Sequence, residues 1–253
     1  MVVRRVGRGP EVIWIHGLGE RSRCFDAVVD HRLLEGFTHV LPDLPGYGES
    51  QPPVLAETGD SLVDLSAHLA DWLTTWPARE PPIIAGHSMG GVLATLVAER
   101  IPVRGVLDID GNLSRGDCTF SAEASAHDVA SFEAHGFPAM RARVAAEGKS
   151  DRALAGYAAA MEQASAAVFH RNATDLVALS IPETLVARLA ALRAPVMFIA
   201  GVPGGICEHS RSLLENHAVP WIGIEPAGHW PFIDEPDAFA AAARAFLRDV
   251  MDR

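Results

Sequence analysis

The chain has 253 residues, of which 49% are hydrophobic and 21% charged, and its formal net charge is -11 at pH 7. This length and composition allow one large α/β domain with a sizeable core, which excludes a disordered chain and a coiled coil. The acidic balance, without clusters of Lys and Arg, argues against a nucleic-acid partner.

The cysteines and the apolar runs indicate the cellular compartment in which the protein is expected. Three widely spaced cysteines, without a CxxC or a His cluster, predict neither a disulfide framework nor a zinc site. No apolar run approaches the roughly 18 residues that a membrane span requires. We therefore expect a soluble, cytoplasmic protein with no metal and no membrane contact.

Short apolar runs alternate with helical patterns along the chain, and each run predicts a buried strand. The runs cover residues 11–15, 38–41, 82–85, 103–109, 196–200 and 221–224. An Ala-rich stretch over 238–250 predicts a terminal helix, and the residues before Glu11 leave room for one more strand. Alternating strands and helices predict a mostly parallel sheet.

The segment 114–190 departs from that alternation. It is rich in Ala, Glu and Arg and has helical stretches but no convincing strand. We interpret it as a helical cap inserted into a core domain formed by residues 1–113 and 191–253. No repeat or low-complexity linker separates the two, so one folding unit is expected.

The run GHSMG at residues 86–90 follows a predicted strand and precedes a helical pattern. In so tight a turn, the positions two before and two after the serine must lack bulky side chains. The turn strains the serine backbone and exposes its hydroxyl at the carboxyl end of the sheet, where ligands bind. This context predicts Ser88 as a nucleophile.

Three other motifs accompany GHSMG, in an order that resembles the α/β-hydrolase family over nearly the whole chain. They are HGLG at 16–19, DLPGYGES at 43–50 and GHWP at 228–231. The resemblance implies a doubly wound, mostly parallel sheet with an inserted helical cap. It also implies that the amides of Leu18 and Met89 form an oxyanion hole. The chain departs from the family at its start, where two strands are common and one fits here.

His229 is the predicted general base among the eleven histidines. It follows the last predicted strand in a loop that can bring an imidazole to a serine on another strand. The order of serine before histidine fits the family. His87, next to the nucleophile, is expected to pack or hydrogen-bond near the turn instead.

The acid that orients His229 is not in its usual place. The loop after the run 196–200 reads GVPGG, without a carboxylate, and the next one downstream is Glu208. Asp110 stands at the carboxyl end of the preceding strand, and the zearalenone lactone hydrolases, which this chain resembles in several motifs, use a glutamate at the matching position. We predict Asp110 as the acid, with Glu208 as the alternative.

These residues predict a Ser-His-Asp hydrolase that cleaves an ester or lactone of a small, largely apolar substrate through an acyl-enzyme, without any cofactor. Tyr157, Met161 and Phe169 are candidates for the substrate pocket in the cap. The same triad also serves carbon-carbon hydrolases, hydroxynitrile lyases and thioesterases, and some relatives act as small-molecule receptors. The sequence fixes neither the substrate nor the oligomeric state.

Overall fold

The computed structural model describes residues 1–52, 61–77 and 80–253. Seven strands form one sheet in the order β1-β3-β2-β4-β5-β6-β7. All neighbouring strands are parallel except β1, which runs antiparallel to β3 at the edge. The strands are β1 Val3–Gly7, β2 Glu11–Ile15, β3 Thr38–Pro42, β4 Ile83–His87, β5 Gly105–Ile109, β6 Val196–Gly204 and β7 Trp221–Gly228.

The central strands are buried on both faces, which explains why the sequence shows continuous apolar runs rather than alternation. All five residues of β4 and of β5 are buried, as expected for a parallel sheet covered by helices. The predicted fold class, a mostly parallel doubly wound sheet, is confirmed. The single strand before β2 also agrees with the space available at the start of the chain.

Helices connect and cover the strands of this sheet. Those outside the long β5–β6 connection are α1 Asp26–Val29, α2 Leu62–Thr75, α3 Met89–Ala98, α10 Glu208–Asn216, α11 Pro231–Asp234 and α12 Pro236–Asp252. Within the described ranges, no helix has the length and apolar character needed to cross a bilayer.

The connection between β5 and β6 is helical and contains no strand, and every one of its residues is described. Its helices are α4 Phe120–Ser125, α5 Val129–Ser131, α6 Phe137–Glu147, α7 Arg152–Met161, α8 Ala166–Ser180 and α9 Leu185–Ala190, with a π-helical turn at Phe132–Gly136. They lie within the range 114–190 predicted for the cap.

Aromatic rings form the interior of this helical segment, and hydrogen bonds join it to the sheet. The Phe132 ring lies 5.8 Å from Phe169 and 5.6 Å from Phe137. Asn172 Nδ2 donates to the Tyr47 hydroxyl at 2.9 Å, which links α8 to the loop after β3. The segment is thus tied to the core through the loop that follows β3.

Candidate active site

Ser88 occupies a sharp turn between β4 and α3. Its backbone has φ 54° and ψ −121°, a conformation that residues other than glycine seldom adopt. Such strain costs on the order of 1–3 kcal/mol and persists where the surroundings enforce it. The Ser88 amide donates to the Ile109 carbonyl at 2.9 Å, so the neighbouring strand β5 helps to hold the turn.

The two glycines of the GHSMG run are required by close backbone contacts. A Cβ atom on Gly86 would lie 2.0 Å from the Gly90 carbonyl oxygen, and one on Gly90 would lie 2.1 Å from the Ile15 carbonyl oxygen. Neither oxygen can move away without breaking the turn or the strand that holds it. The close approach that the motif predicted is therefore present.

The predicted oxyanion-hole segments both lie beside Ser88. Met89 is the first residue of α3, where an amide has no carbonyl partner within the helix. Leu18 lines the same pocket as Ser88. Between them, Gly17 packs so tightly that a Cβ on it would stand 3.1 Å from the Ser88 Cβ.

His229 and Asp110 form a direct pair. His229 Nδ1 lies 2.5 Å from Asp110 Oδ2, and His229 lines the pocket that also contains Ser88. Because Nδ1 is engaged by the carboxylate, Nε2 is the ring nitrogen that can serve the serine. This is the arrangement in which a carboxylate fixes the tautomer and orientation of an imidazole.

The glycine-rich end of β6 and the residues that follow it hold the Asp110 carboxylate. Asp110 Oδ1 accepts hydrogen bonds from the amides of Gly201, at 3.0 Å, and Ile206, at 3.1 Å. A Cβ on Gly205 would lie 2.2 Å from the same oxygen. The loop that lacks a carboxylate of its own therefore closes around the carboxylate supplied by β5.

Glu208, the alternative acid, lies elsewhere. It is exposed in the first turn of α10, while His229 Nδ1 is already bonded to Asp110. The structure thus brings Asp110 to the histidine and leaves Glu208 at the surface, in the first turn of the helix that follows β6.

A buried ion pair lies beside these residues. His87 Nδ1 contacts Glu20 Oε2 at 2.9 Å, and both side chains are almost completely buried. The same Glu20 oxygen accepts from the Gly17 amide at 2.6 Å, and Oε1 accepts from Trp230 Nε1 at 2.6 Å. His87 Nε2 lies 2.8 Å from the His229 carbonyl oxygen. The pair therefore joins the turn that contains Gly17 to the loop that contains His229.

Both members of this pair are charged. Burial alone would raise the pKa of Glu20, but the charge of His87 and hydrogen bonds from His87, Trp230 and Gly17 outweigh it and lower this pKa to about 2. Burial alone would lower the pKa of His87, but the Glu20 charge, together with hydrogen bonds to Glu20 and the His229 carbonyl, raises it. A His87 that donates from both nitrogens is the imidazolium form.

His16, in the HGLG motif, is a buried neutral histidine. Its Nε2 accepts from the Leu44 amide at 3.0 Å, so its Nδ1 carries the proton and donates to the Gly17 carbonyl at 2.9 Å. Burial lowers the His16 pKa. Among the residues that the structure describes, no group of three His, Cys, Asp or Glu side chains could hold a metal ion.

Asp108 is a second buried carboxyl group on β5. Its Oδ1 accepts from the Gly111 amide at 3.0 Å, and burial, aided by the nearby Asp110 charge, raises its pKa to about 8. Asp108 is thus a neutral acid at pH 7, in contrast to the ionised Glu20.

The pocket around Ser88 is small and mixed in character. Its free volume is about 20 Å³, enough for about one water molecule. The sequence predicts an apolar pocket, but polar groups line much of it because the turn after β5 contributes Asn112 and Asp117 and α4 contributes Ser121.

The three substrate-binding candidates differ in their position relative to the pocket. Tyr157 lines the pocket and packs 5.4 Å from the Trp230 ring. Met161 and Phe169 are fully buried and are absent from the pocket lining; Phe169 packs among the other rings of the helical segment. A Cβ on Gly19 would nevertheless lie 2.7 Å from the Phe169 ring, and a substrate contact by Met161 or Phe169 remains a prediction.

Several residues of the candidate site were not singled out by the sequence. Glu20 was visible in the run after HGLG, yet its partner His87 lies 67 residues away. Trp230, next to the base, was visible in GHWP. Asn112 follows Asp110 by two residues but belongs to no recognised motif.

The sequence matches a known protein family over most of its length. Residues 12–242 match the model of the alpha/beta hydrolase family. A 2-(acetamidomethylene)succinate hydrolase from Mesorhizobium japonicum is 34% identical over 43% of this chain and 38% of its own length. A pimeloyl-(acyl-carrier protein) methyl ester esterase from Shewanella is 33% identical over 41% and 35%, respectively. The matched segments thus span well under half of these relatives.

A solved structure shows the similarity of the fold over nearly the whole chain. An esterase from Thermogutta terrifontis superposes with a TM-score of 0.80 at 19% identity, covering 98% of this chain and 93% of that one. Together with the family match, which extends over most of the sequence, this likeness leads to one conclusion. The chain belongs to the alpha/beta hydrolase family.

Proposed function

We propose that this protein is a serine hydrolase that cleaves a carboxylic ester or lactone of a small substrate. The supporting observation is that Ser88, on its strained turn, shares a pocket with His229, whose Nδ1 is held 2.5 Å from Asp110. A nucleophile, a base and a group that orients the base are the parts that acyl transfer requires.

The proposed reaction has two halves. Ser88 Oγ attacks the carbonyl carbon while His229 Nε2 accepts the serine proton, and the amides of Leu18 and Met89 stabilise the resulting oxyanion. The tetrahedral intermediate collapses, His229 returns the proton to the departing alkoxide, and an acyl-enzyme remains. Water then attacks the acyl carbon, with His229 as base, and releases the acid and free Ser88.

The names of similar proteins favour ester hydrolysis. The Shewanella relative is a methyl ester esterase and the Thermogutta structure is an esterase. The Mesorhizobium relative, with the highest identity of those compared, is named for a succinate derivative instead. Hydrolysis of such an acetamidomethylene acid by the same residues is therefore the second candidate.

We further propose that the helical segment between β5 and β6 acts as the substrate-covering cap. The pocket that contains Ser88 is also lined by Phe120, Ser121 and Tyr157, which belong to this segment. A pocket with room for about one water molecule must widen on that side to admit an ester.

Labelling and turnover together test the function. Wild-type protein should react with a fluorophosphonate at Ser88, identified by peptide mass, and should hydrolyse p-nitrophenyl esters or simple lactones. Ser88→Ala should lose the label and reduce kcat by at least about 10⁴-fold. A wild-type protein that neither labels nor turns over any ester, lactone or acetamidomethylene acid would refute the proposal.

A further inference from the structure

Asn112 holds an unpaired hydrogen-bond acceptor at the candidate active site. The residue is 3% exposed, and its Oδ1 has no hydrogen-bond partner among the residues that the structure describes. Asn112 lines the same pocket as Ser88 and His229. Buried polar atoms are nearly always paired, so an unpaired one in a ligand pocket calls for a partner that arrives with the ligand.

The orientation of the Asn112 amide is fixed by its other end. Nδ2 donates to the Asp117 carbonyl oxygen at 3.0 Å. If the amide were reversed, its oxygen would face that carbonyl oxygen, and two acceptors would oppose each other. The unpaired atom is therefore the amide oxygen, which can accept a hydrogen bond but cannot donate one.

The turn that carries this amide is itself held rigidly. The Asp117 carboxylate accepts hydrogen bonds at 2.6–3.0 Å from four groups on the turn and on the loop and helix after β6. With its carboxylate so occupied, Asp117 positions Asn112 rather than a ligand. Those four donors are the amides of Leu113, Ser114 and Cys207 and the hydroxyl of Ser210.

The chemistry of the unpaired atom favours a neutral donor over a cation. An amide oxygen has no net charge, and the Asp117 carboxylate oxygens already accept from four protein donors. A hydroxyl or an amide N–H can satisfy the oxygen without bringing an unpaired charge into a buried site.

We propose that Asn112 Oδ1 is a substrate-recognition group, and that the preferred substrates are esters or lactones carrying a neutral hydroxyl or amide N–H within reach of it. This inference rests on the proposed function and narrows its substrate class. It also replaces the expectation of a largely apolar substrate, because an apolar group at this position leaves the oxygen buried and unpaired.

Paired substrates test this recognition. One pair is p-nitrophenyl 3-hydroxybutyrate and its 3-methoxy counterpart; the other is 2-hydroxyethyl and 2-methoxyethyl butyrate, which places the donor on the alcohol side. In wild-type protein, kcat/KM for the hydroxylated member of at least one pair should exceed that of its methoxy partner by about tenfold. No preference in either pair would overturn the proposal.

Variants then assign the preference to Asn112. In Asn112→Leu the ratio should fall to about one, whereas Asn216→Leu, the same change at an exposed position of α10, should keep it. A ratio that survives in Asn112→Leu would also overturn the proposal. Because each ratio is measured within one preparation, it does not depend on the fraction of folded protein.

The two proposals can fail separately. If Ser88 does not label and no ester is cleaved, the hydrolase proposal fails. The Asn112 inference is then tested by calorimetry, which compares the binding of ethyl 3-hydroxybutyrate and of 2-hydroxyethyl butyrate with that of their methoxy counterparts. A preference of about tenfold for the hydroxylated member of at least one pair would support the Asn112 inference, and equal or absent binding in both pairs would refute it. If esters are cleaved without a hydroxyl preference, only the Asn112 inference fails.

Discussion

The two sides of the pocket differ in how their polar groups are satisfied. On the sheet side, Glu20 and His87 are fully paired, and the Asp110 carboxylate is bonded to His229 and to two amides. On the side formed by the turn after β5, Asn112 keeps an oxygen that is unpaired among the described residues. A fixed side suits chemistry, which requires groups held in place, whereas an open acceptor suits recognition, which is completed only by a ligand.

The largest loss of activity is expected from replacing Asp110, which lies on the fully paired side of the pocket. Asp110→Asn should lower kcat by about 10³–10⁴-fold, because the amide no longer fixes the imidazole tautomer or stabilises the imidazolium. Steady-state hydrolysis of p-nitrophenyl butyrate measures it. Glu208→Gln changes an exposed carboxylate in the first turn of α10 and serves as the control. It should leave the hydrolysis rate within twofold of wild type. A large loss in Glu208→Gln alone would show that Glu208, and not Asp110, is the acid.

A smaller effect should follow from neutralising the ion pair. Glu20→Gln keeps the shape of the side chain but removes the charge that binds His87, so the turn that contains Gly17 and the loop after β7 should both shift slightly. We expect kcat to fall by about 10–100-fold with little change in KM, since displacements near 1 Å have costs of this order. Titrating active sites with a fluorophosphonate corrects for unfolded protein, and an unchanged kcat per labelled site would assign Glu20 a purely structural role.

The pH dependence of stability gives a second measure of this pair. The low pKa of folded Glu20 makes its contribution present above the ordinary value of 4.5 and lost as pH falls toward about 2. The raised pKa of folded His87 makes its contribution present below the ordinary value of 6.5 and lost as pH rises through the folded value. The Tm difference between wild type and Glu20→Gln should therefore be greatest between pH 4.5 and 6.5, and a difference independent of pH would contradict the ionised pair.

The smallest effect, on thermal stability, is expected from Asp108, the buried carboxyl group on β5. Folded Asp108 has a pKa of about 8 against an ordinary 3.8, so its contribution is fully present below pH 3.8 and is lost as pH rises to about 8. Asp108→Asn removes this loss. The change in Tm caused by the substitution should therefore be more positive at pH 8 than at pH 4, by at least about 2–4 °C. Asp71→Asn, on an exposed position of α2, should show no such trend, and a pH-independent Asp108→Asn effect would show that Asp108 is ionised in the fold.

The sheet and the motif residues were accessible from the sequence because their signals are local. Buried parallel strands appear as apolar runs, and the turn at Ser88 requires glycines at fixed offsets. Asp110 was predicted from its place at the end of a strand. Such features depend on neighbours within a few residues.

The remaining features depend on contacts between distant segments. Glu20 and His87 are separated by 67 positions, and no local pattern announces that they meet. The role of Asn112 depends on which of its atoms finds a partner, which only three-dimensional packing decides. Tyr157 and Phe169 looked equivalent as aromatic residues on helices, but one faces the pocket and the other the interior of the helical segment.

The crowding around Ser88 also bears on how the proposed activity can be altered by directed evolution. Added Cβ atoms at Gly86 and Gly90 would strike backbone oxygens at about 2 Å, and one at Gly91 would lie 2.2 Å from Asp108 Oδ1. Mutant libraries spread over residues 86–91 would consist largely of inactive clones. Screening effort for new substrates is better placed across the pocket, at Phe120, Ser121 and Tyr157, where side chains rather than backbone form the wall.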